Sequence, residues 1–271
     1  MEIFNLLLTQ PLANGLIFFY KLLGNNMGLG ILGFSIFLKL ILWPLTAKSL
    51  VNMKKMAELR PALQKIQARH KGDRVKLAKA QSDFYKEKGF NPSAGCLPQI
   101  LQLVVLYAFY HVFSQAFANP DMVSVFNPLL YEPLKFAEGS TINTHFLYLD
   151  VAKPDVFPVA GIPFPVPGPI LILAAITQFL SAKMMQPAIN KEKQIAKKTK
   201  DTTDDAMVAT QQYMIYFLPF LTLIFGMQFS AGLALYWLVF SLLQAVQQYM
   251  VSGWGGLAPW INKLKSATIA S

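Results

Sequence analysis

The sequence predicts an all-α membrane protein built around five transmembrane helices, and three observations lead to this fold class. Hydrophobic residues make up 54% of the 271-residue chain and charged residues only 14%, about half the charged share of a soluble domain. Five stretches are apolar over about the length that a helix needs to cross a bilayer. The segments between these stretches alternate between basic and acidic.

The five predicted spans form a core over residues 25–252, and they cover residues 27–47, 96–118, 169–186, 211–228 and 232–252. The first span contains one charged residue, Lys39, and the third carries Lys183 near its end. No span contains an aspartate or a glutamate. This composition weakens the interpretation as a proton- or cation-coupled transporter, which uses acidic groups at membrane depth.

Residues 1–24 predict an amphipathic helix that lies at the membrane interface. Apolar residues recur there at spacings of three and four, which is the helical period: Phe4, Leu7, Leu8, Pro11, Leu12, Leu16, Phe19, Tyr20 and Leu23. A signal peptide is the alternative. However, Glu2 stands where a basic start is expected, and no small-x-small cleavage site follows. We therefore expect an uncleaved interfacial helix.

The distribution of lysine and arginine predicts the orientation of the chain. Residues 48–90 contain twelve basic and four acidic residues, whereas residues 119–165 contain two basic and five acidic ones. Residues 187–210 contain five lysines, and the tail, residues 253–271, adds Lys263 and Lys265. Because basic loops stay in the cytoplasm, the N-terminus is expected outside and the C-terminus inside. Most of the net charge of +10 then serves to orient the chain in the membrane, so direct DNA binding is the weaker interpretation of this charge.

The two long connecting segments have different predicted structures. Residues 48–90 carry an apolar stripe at helical spacing on both sides of a turn that contains Gly72, so they predict a cytoplasmic helical hairpin rather than a solvated basic loop. Pro61 is expected to kink or split its first arm. The extracellular loop, residues 119–168, is rich in proline, which predicts short elements and excludes a long helix or a central strand.

No residue pattern in the sequence indicates catalysis. Cys96 is the single cysteine, and His70, His111 and His145 have no spacing that suggests a metal site. Nucleophile motifs and glycine-rich phosphate motifs do not occur. We therefore expect a protein that is not an enzyme and that uses no cofactor or metal.

Lys39 is the most informative residue of the sequence, because a charge near the bilayer centre costs ~2.5–3.5 kcal/mol. Snorkelling to the interface is one explanation, but the side chain would have to reach over ~10 Å. Polar residues near the cytoplasmic ends of the other spans offer another: Gln102, Gln178, Ser181, Ser241 and Gln244. We expect these groups to line a water-filled cavity that opens to the cytoplasm and solvates Lys39.

Three stretches of the sequence resemble a known family. They are "KLILWPLTAKSLVNMKKMAELRPALQKIQ", "FYKEKGFNPSAGCLPQILQLVVLYAFY" and "SAGLALYWLVFSLLQAVQQYMV", which are similar to the YidC/Oxa/Alb membrane protein insertases. The similarity runs from about residue 24 to residue 252. The chain looks like the compact bacterial type, without a large extracellular domain, and is expected in the bacterial cell membrane.

The resemblance implies a mechanism and a set of residues. Members of the family hold five spans around a hydrophilic groove, into which a basic residue attracts the polar segment of a substrate. The groove residues expected here are Lys39, Gln102, Gln178, Ser181, Trp237, Ser241 and Gln244. The hairpin residues expected to receive incoming chains are Lys54, Lys55, Arg60, Lys65 and Arg69. The family usually has arginine where this chain has Lys39, and arginine keeps its charge in any site whereas lysine can lose it.

The implied partners are nascent membrane proteins, the ribosome, the lipid bilayer and, for some substrates, the Sec translocon. The apolar part of a substrate is expected to enter lipid along the third and fifth spans, without nucleotide or cofactor. A small-solute channel or transporter is the alternative function. Five spans without internal duplication and without an acidic intramembrane residue disfavour it.

Overall fold

The computed structural model describes residues 2–70, 72–91, 97–161, 163–185 and 202–269. Within these ranges the secondary structure is almost entirely helical, which confirms the predicted all-α class. The helices are α1 (Gln10–Leu22), α2 (Met27–Arg69), α3 (Arg74–Glu87), α4 (Leu97–Phe117), α5 (Met122–Phe126), α6 (Pro169–Met185), α7 (Thr202–Gly226), α8 (Ala231–Ser252) and α9 (Ala258–Ile269). A helical turn, Glu2–Phe4, and a π-helical turn, Asn5–Thr9, precede α1.

Three stretches of these helices are long and apolar enough to cross a membrane: Met27–Asn52, Ile100–Phe117 and Ala231–Ser252. Two further apolar helical stretches, Pro169–Met185 and Ile215–Gly226, are shorter. All five overlap the predicted spans, although Met27–Asn52 extends five residues beyond the predicted end at residue 47 and Ala231–Ser252 begins one residue before the predicted start at residue 232. The chain is therefore a membrane protein, and five crossings remain a prediction.

The chain divides into two compact units. The first comprises Met1–Leu42, Leu101–Phe179 and Tyr216–Gln244, and the second comprises Trp43–Ile100, Leu180–Ile215 and Ala245–Ser271. The core of the first unit is apolar and aromatic. Ile17, Ile31, Phe109, Phe113 and Tyr236 are each at most 1% exposed there, so α1, α2, α4 and α8 all contribute to one core.

Helix α1 is fixed to the first unit by a buried asparagine. The Asn14 side chain donates to the Leu129 carbonyl at 2.8 Å and accepts from the Tyr131 amide at 2.7 Å. The buried face of the helix includes Leu12 and Leu16 of the predicted apolar face, whereas Leu7 of the preceding π-helical turn is 66% exposed. One face of α1 thus belongs to the core.

The segment over residues 119–168 consists of short pieces, as its proline content predicts. It contains α5, two 3₁₀ turns, and two antiparallel hairpins made of two-residue strands. Strand β1 (His145–Phe146) pairs with β2 (Leu149–Asp150), and β3 (Val156–Phe157) pairs with β4 (Val166–Pro167). No long strand or long helix occurs in the described part of this segment.

The same segment supplies hydrogen bonds to the starts of two apolar helices. The amides of Ala231 and Gly232, which open α8, donate to the carbonyls of Lys153 and Val151 at 2.7 and 2.9 Å. The Asp155 carboxylate, only 2% exposed, accepts from the Leu171 amide of α6 at 2.9 Å. These bonds satisfy donors that a helix start otherwise leaves unpaired.

The second unit contains the helical hairpin, and of the two predicted effects of Pro61, a kink or a split of the first arm, the split does not occur. Helix α2 runs without interruption for 43 residues through Pro44 and Pro61, so Pro61 does not split it. A proline removes one hydrogen bond of the helix, and the bonds on either side suffice to continue it. The first predicted span and the first arm of the hairpin are therefore one helix.

The hairpin turn and second arm begin and end where capping chemistry predicts. Gly72 adopts a φ of +93° in the turn, and the Asp73 side chain accepts from the Lys76 amide at 3.0 Å to cap α3. Gly89, with a φ of +56°, follows the end of α3. Lys55 Nζ donates to the Lys88 carbonyl at 3.0 Å, which connects the two arms.

Candidate functional site

Lys39 lies on α2 with its side chain fully enclosed, at 0% exposure. Its Nζ donates a hydrogen bond to Gln244 Oε1 of α8. The same Nζ lies 4.5 Å from the centroid of the Phe240 ring. Phe240 and Gln244 are four residues apart and therefore share one face of α8. One turn of that helix thus supplies both groups that surround the cation.

The charge of Lys39 is compensated only by neutral groups in the described part of the chain. An amide oxygen and an aromatic face both attract an ammonium, the latter by roughly 2 kcal/mol when desolvated. No carboxylate forms an ion pair with Lys39 among the described residues, and the predicted spans contain no acidic residue. A buried cation without a counter-charge is an electrostatic site that favours an anionic partner.

The Lys39 side chain is enclosed by protein groups, and the predicted water-filled cavity remains a prediction. Its ammonium contacts Gln244 and Phe240. The amide and the ring reach the ammonium directly and replace part of its hydration. The enclosed arrangement is one in which the cation is held by the protein itself.

Gln102 extends the polar contacts of α4 to α8. Its Nε2 donates to the Tyr236 hydroxyl at 2.9 Å, while its buried Oε1 has no hydrogen-bond partner among the described residues. The Tyr236 ring stacks on Phe109 at 4.6 Å and lies 5.5 Å from Phe240, between centroids. Gln102 is therefore linked to the Lys39 site through two aromatic rings of α8.

The remaining predicted groove residues do not all gather at Lys39. Gln178 Oε1 accepts from the Thr222 hydroxyl at 2.6 Å, which joins α6 to α7. Ser241 is buried on α8, immediately after Phe240, and Trp237 is half-buried. Ser181 is buried in the second unit. Within the first unit, Gln244 is the predicted residue that directly contacts Lys39.

Several residues at these contacts were missed by the sequence analysis. Phe240 and Tyr236 precede Gln244 by four and eight residues, and this helical spacing could have indicated them. Thr222 carries no such signal, because a threonine in an apolar helix commonly bonds to its own backbone. Thr222 also donates to the Leu218 carbonyl at 3.1 Å.

The second unit contains its own buried polar contact between α2 and α8. Gln247, at 0% exposure, accepts from the Thr46 hydroxyl and donates to the Trp43 carbonyl, both at 2.9 Å. Both ends of the amide are therefore satisfied, as a buried glutamine requires. This contact stabilises the pairing of two membrane-length helices.

The predicted hairpin residues are mostly exposed. Lys54, Lys55, Lys65 and Arg69 present their side chains to solvent, while the side chain of Arg60 lies outside the described residues. The predicted basic loop of residues 187–210 likewise lies outside the residues whose side chains the structure describes. The described part of the hairpin is thus a basic surface.

The helical fold, the apolar spans and the enclosed cation define a class: an all-α integral membrane protein with a charged site in its interior. A family model described as "60Kd inner membrane protein" matches residues 18–255. The chain therefore belongs to this family, which confirms the family resemblance seen in the sequence.

Curated relatives bear the name "Membrane protein insertase YidC". The chain is 30% identical over 249 residues to the one from Syntrophobacter fumaroxidans, which covers 90% of this chain and 38% of the relative. It is 31% identical over 270 residues to the one from Chloroherpeton thalassium, covering 95% and 39%. The chain is 31% identical over 258 residues to the one from Methylorubrum extorquens, and the match covers 90% of this chain and 35% of the relative. The chain thus spans less than two fifths of the length of these relatives.

Proposed function

We propose that this chain is a membrane protein insertase that delivers apolar segments of nascent membrane proteins into the bilayer. The observation that carries the proposal is the enclosed Lys39, which has only Gln244 and a ring face as partners among the described residues. Its family membership and the names of its relatives point to the same function.

In the proposed mechanism, Lys39 attracts an acidic or polar segment of the substrate to membrane depth. A substrate carboxylate replaces the Gln244 oxygen, because an ion pair attracts more strongly than an amide dipole. Two unit charges ~6 Å apart attract by roughly 3 kcal/mol at an effective dielectric near 20. This is enough to raise occupancy about a hundredfold and still permits release.

The free energy for the reaction comes from the substrate itself. Moving an apolar helix into lipid releases ~25 cal/mol per Å² of apolar area removed from water. The protein lowers the barrier by shortening the path of the polar segment through hydrocarbon. No nucleotide or cofactor is needed in this scheme, and the protein is not an enzyme.

We further propose the topology and the partners. The lysine bias of the loops supports an outside N-terminus and a cytoplasmic C-terminus in a bacterial cell membrane. The apolar spacing of residues 1–24 supports a helix at the membrane interface. The exposed basic residues of the hairpin suit the ribosome and incoming chains, and the protein works alone or with the Sec translocon. Gln178, Ser181, Trp237 and Ser241 are proposed to contact substrate once it enters the groove.

A small-solute channel or transporter is the competing function. The polar groups at membrane depth bond to one another, as in Gln102 with Tyr236 and Gln178 with Thr222. Side chains paired in this way stabilise helix packing and do not themselves provide a path for water or solutes. The insertase therefore remains the favoured function.

The test is insertion into vesicles that contain the purified full chain. A single-span substrate with an acidic tail is translated in their presence, and protection of its tail from protease reports insertion. We expect protection well above that in protein-free vesicles, and no flux of entrapped small solutes. Solute flux without protection of the substrate would support the channel and reject the insertase.

A further inference from the structure

Helix α9 presents exposed apolar and basic residues beside the ends of two apolar helices. Trp260 is 49% exposed and Leu264 is 65% exposed, and their spacing of four places them on one face. Asn262 and Ser266 are exposed on the other side of the helix. An exposed tryptophan and leucine with nearby Lys263 is the composition of a helix that lies on a membrane.

The turn before α9 connects this face to a membrane-length helix. Helix α8 ends at Ser252, and in its last turn Tyr249 and Met250 are 48% and 69% exposed. The Trp254 ring packs on Tyr249 with centroids 4.7 Å apart. Exposed apolar surface therefore continues from the end of the membrane-length helix into the turn.

A second contact places α9 at the end of α6. Lys183, in the last turn of α6, holds its Nζ 5.5 Å from the centroid of the Trp260 ring. Leu257, just before α9, is 5% exposed and anchors the turn. Trp260 thus lies beside the end of α6. It follows Trp254 by six residues, and the Trp254 ring packs on the last turn of α8. Tryptophan and lysine are the residues that gather at the headgroup level.

We propose that α9 is an in-plane membrane helix that binds the anionic lipid interface. Trp260 and Leu264 enter the boundary between headgroups and acyl chains, and Lys263 and Lys265 contact lipid phosphates. The proposal concerns a lipid surface and stands independently of the insertase function. The alternative partner is ribosomal RNA, which would use the same lysines but leave Leu264 in water.

The test uses spin labels on single cysteines in the full chain, with Cys96→Ser as background. Leu264→Cys and Ala267→Cys report on the proposed lipid face, and Ser266→Cys is the matched control on the other face. The protein is reconstituted into phosphatidylcholine vesicles that contain one-third phosphatidylglycerol. Collisions of each label with oxygen, which concentrates in lipid, are compared with those of a water-soluble nickel chelate.

We expect the oxygen-to-nickel ratio to be several-fold higher at positions 264 and 267 than at 266. Lys263→Gln with Lys265→Gln should weaken the lipid preference by about fivefold for each lysine. Position 267 keeps the test valid if Leu264→Cys itself loosens α9. Equal, water-like ratios at all three positions would overturn the proposal. So would labels at 264 and 267 that become shielded only when ribosomes are added.

Discussion

The Lys39 ammonium donates its hydrogen bond to the Gln244 amide oxygen, so a cation at membrane depth is held by a neutral acceptor from a neighbouring helix. Four residues earlier on the same helix, the Phe240 ring supplies the second contact. A neutral acceptor binds an ammonium less strongly than a carboxylate does. In the proposed mechanism the pair therefore holds the cation when no substrate is present and yields it to an acidic substrate.

Substitution of Lys39 should separate a functional charge from a structural one. Lys39→Arg should retain insertion, because it keeps the charge, whereas Lys39→Ala should lose insertion of acidic-tailed substrates by up to about a hundredfold. Lys39→Glu should be at least as damaging, because it repels such substrates. Insertion and melting temperature are measured together. Full activity of Lys39→Ala with a raised Tm would show that Lys39 is merely a buried charge.

Gln244 should control how readily the cation is released. Gln244→Glu places a carboxylate opposite Lys39, so we expect a higher Tm together with weaker insertion of acidic-tailed substrates. Gln244→Met keeps the shape but removes the acceptor, which should lower stability by ~1–3 kcal/mol. Thermal unfolding in nanodiscs and the insertion assay provide the two readouts. An unchanged insertion rate for Gln244→Glu would argue that substrate does not compete for this contact.

Asp155 should be a stability determinant of the segment over residues 119–168. Its carboxylate accepts from the Leu171 amide and, at 3.1 Å, from the Tyr148 hydroxyl. Asp155→Ala should reduce stability by about 1–3 kcal/mol, because it leaves buried donors unpaired. Glu132→Ala is the control, since the Glu132 side chain in the same segment is 85% exposed and its ion pair with Lys135 contributes little. Equal losses for the two variants in thermal melts would contradict this ranking.

Tyr148 should make stability depend on alkaline pH. Burial, which is the largest cause, raises the pKa of its hydroxyl to about 12 from the ordinary value of 10.0. Because the folded pKa is the higher one, this stabilisation is complete below pH 10 and is lost as the pH rises towards 12. Tm measured across that window should fall more steeply for the unsubstituted protein than for Tyr148→Phe. Parallel curves would assign the alkaline loss to other groups.

Hydrogen exchange should distinguish two parts of helix α2. Residues 27–47 belong to an apolar stretch long enough to cross a membrane, whereas residues 53–69 form the first arm of the hairpin. In the second arm, the Val75 side chain is 80% exposed. Segments with few buried contacts open more readily. In nanodiscs we therefore expect faster exchange over residues 53–69 and 74–87 than over residues 27–47. Equal protection along α2 would show that the hairpin is as stable as the span.

The sequence by itself determined the class of protein and most of its elements. Apolar length gave the membrane helices, because every backbone group in lipid must be satisfied within a helix. Helical periodicity and capping residues located the hairpin, and proline content predicted the short elements of residues 119–168. These features depend on neighbours a few residues apart, so one sequence contains them. The prediction that Lys39 is functionally important also followed from the cost of a charge in hydrocarbon.

Only the tertiary structure decided which groups meet. Lys39 and Gln244 are 205 residues apart in the chain, and no local pattern states that their helices are neighbours. The polar residues of the spans could be expected from the sequence to share one cavity, but their individual partners could not be predicted. Gln178 bonds to Thr222, and Gln102 bonds to Tyr236. Pairing of buried polar groups depends on helix rotation and packing, which are properties of the folded chain.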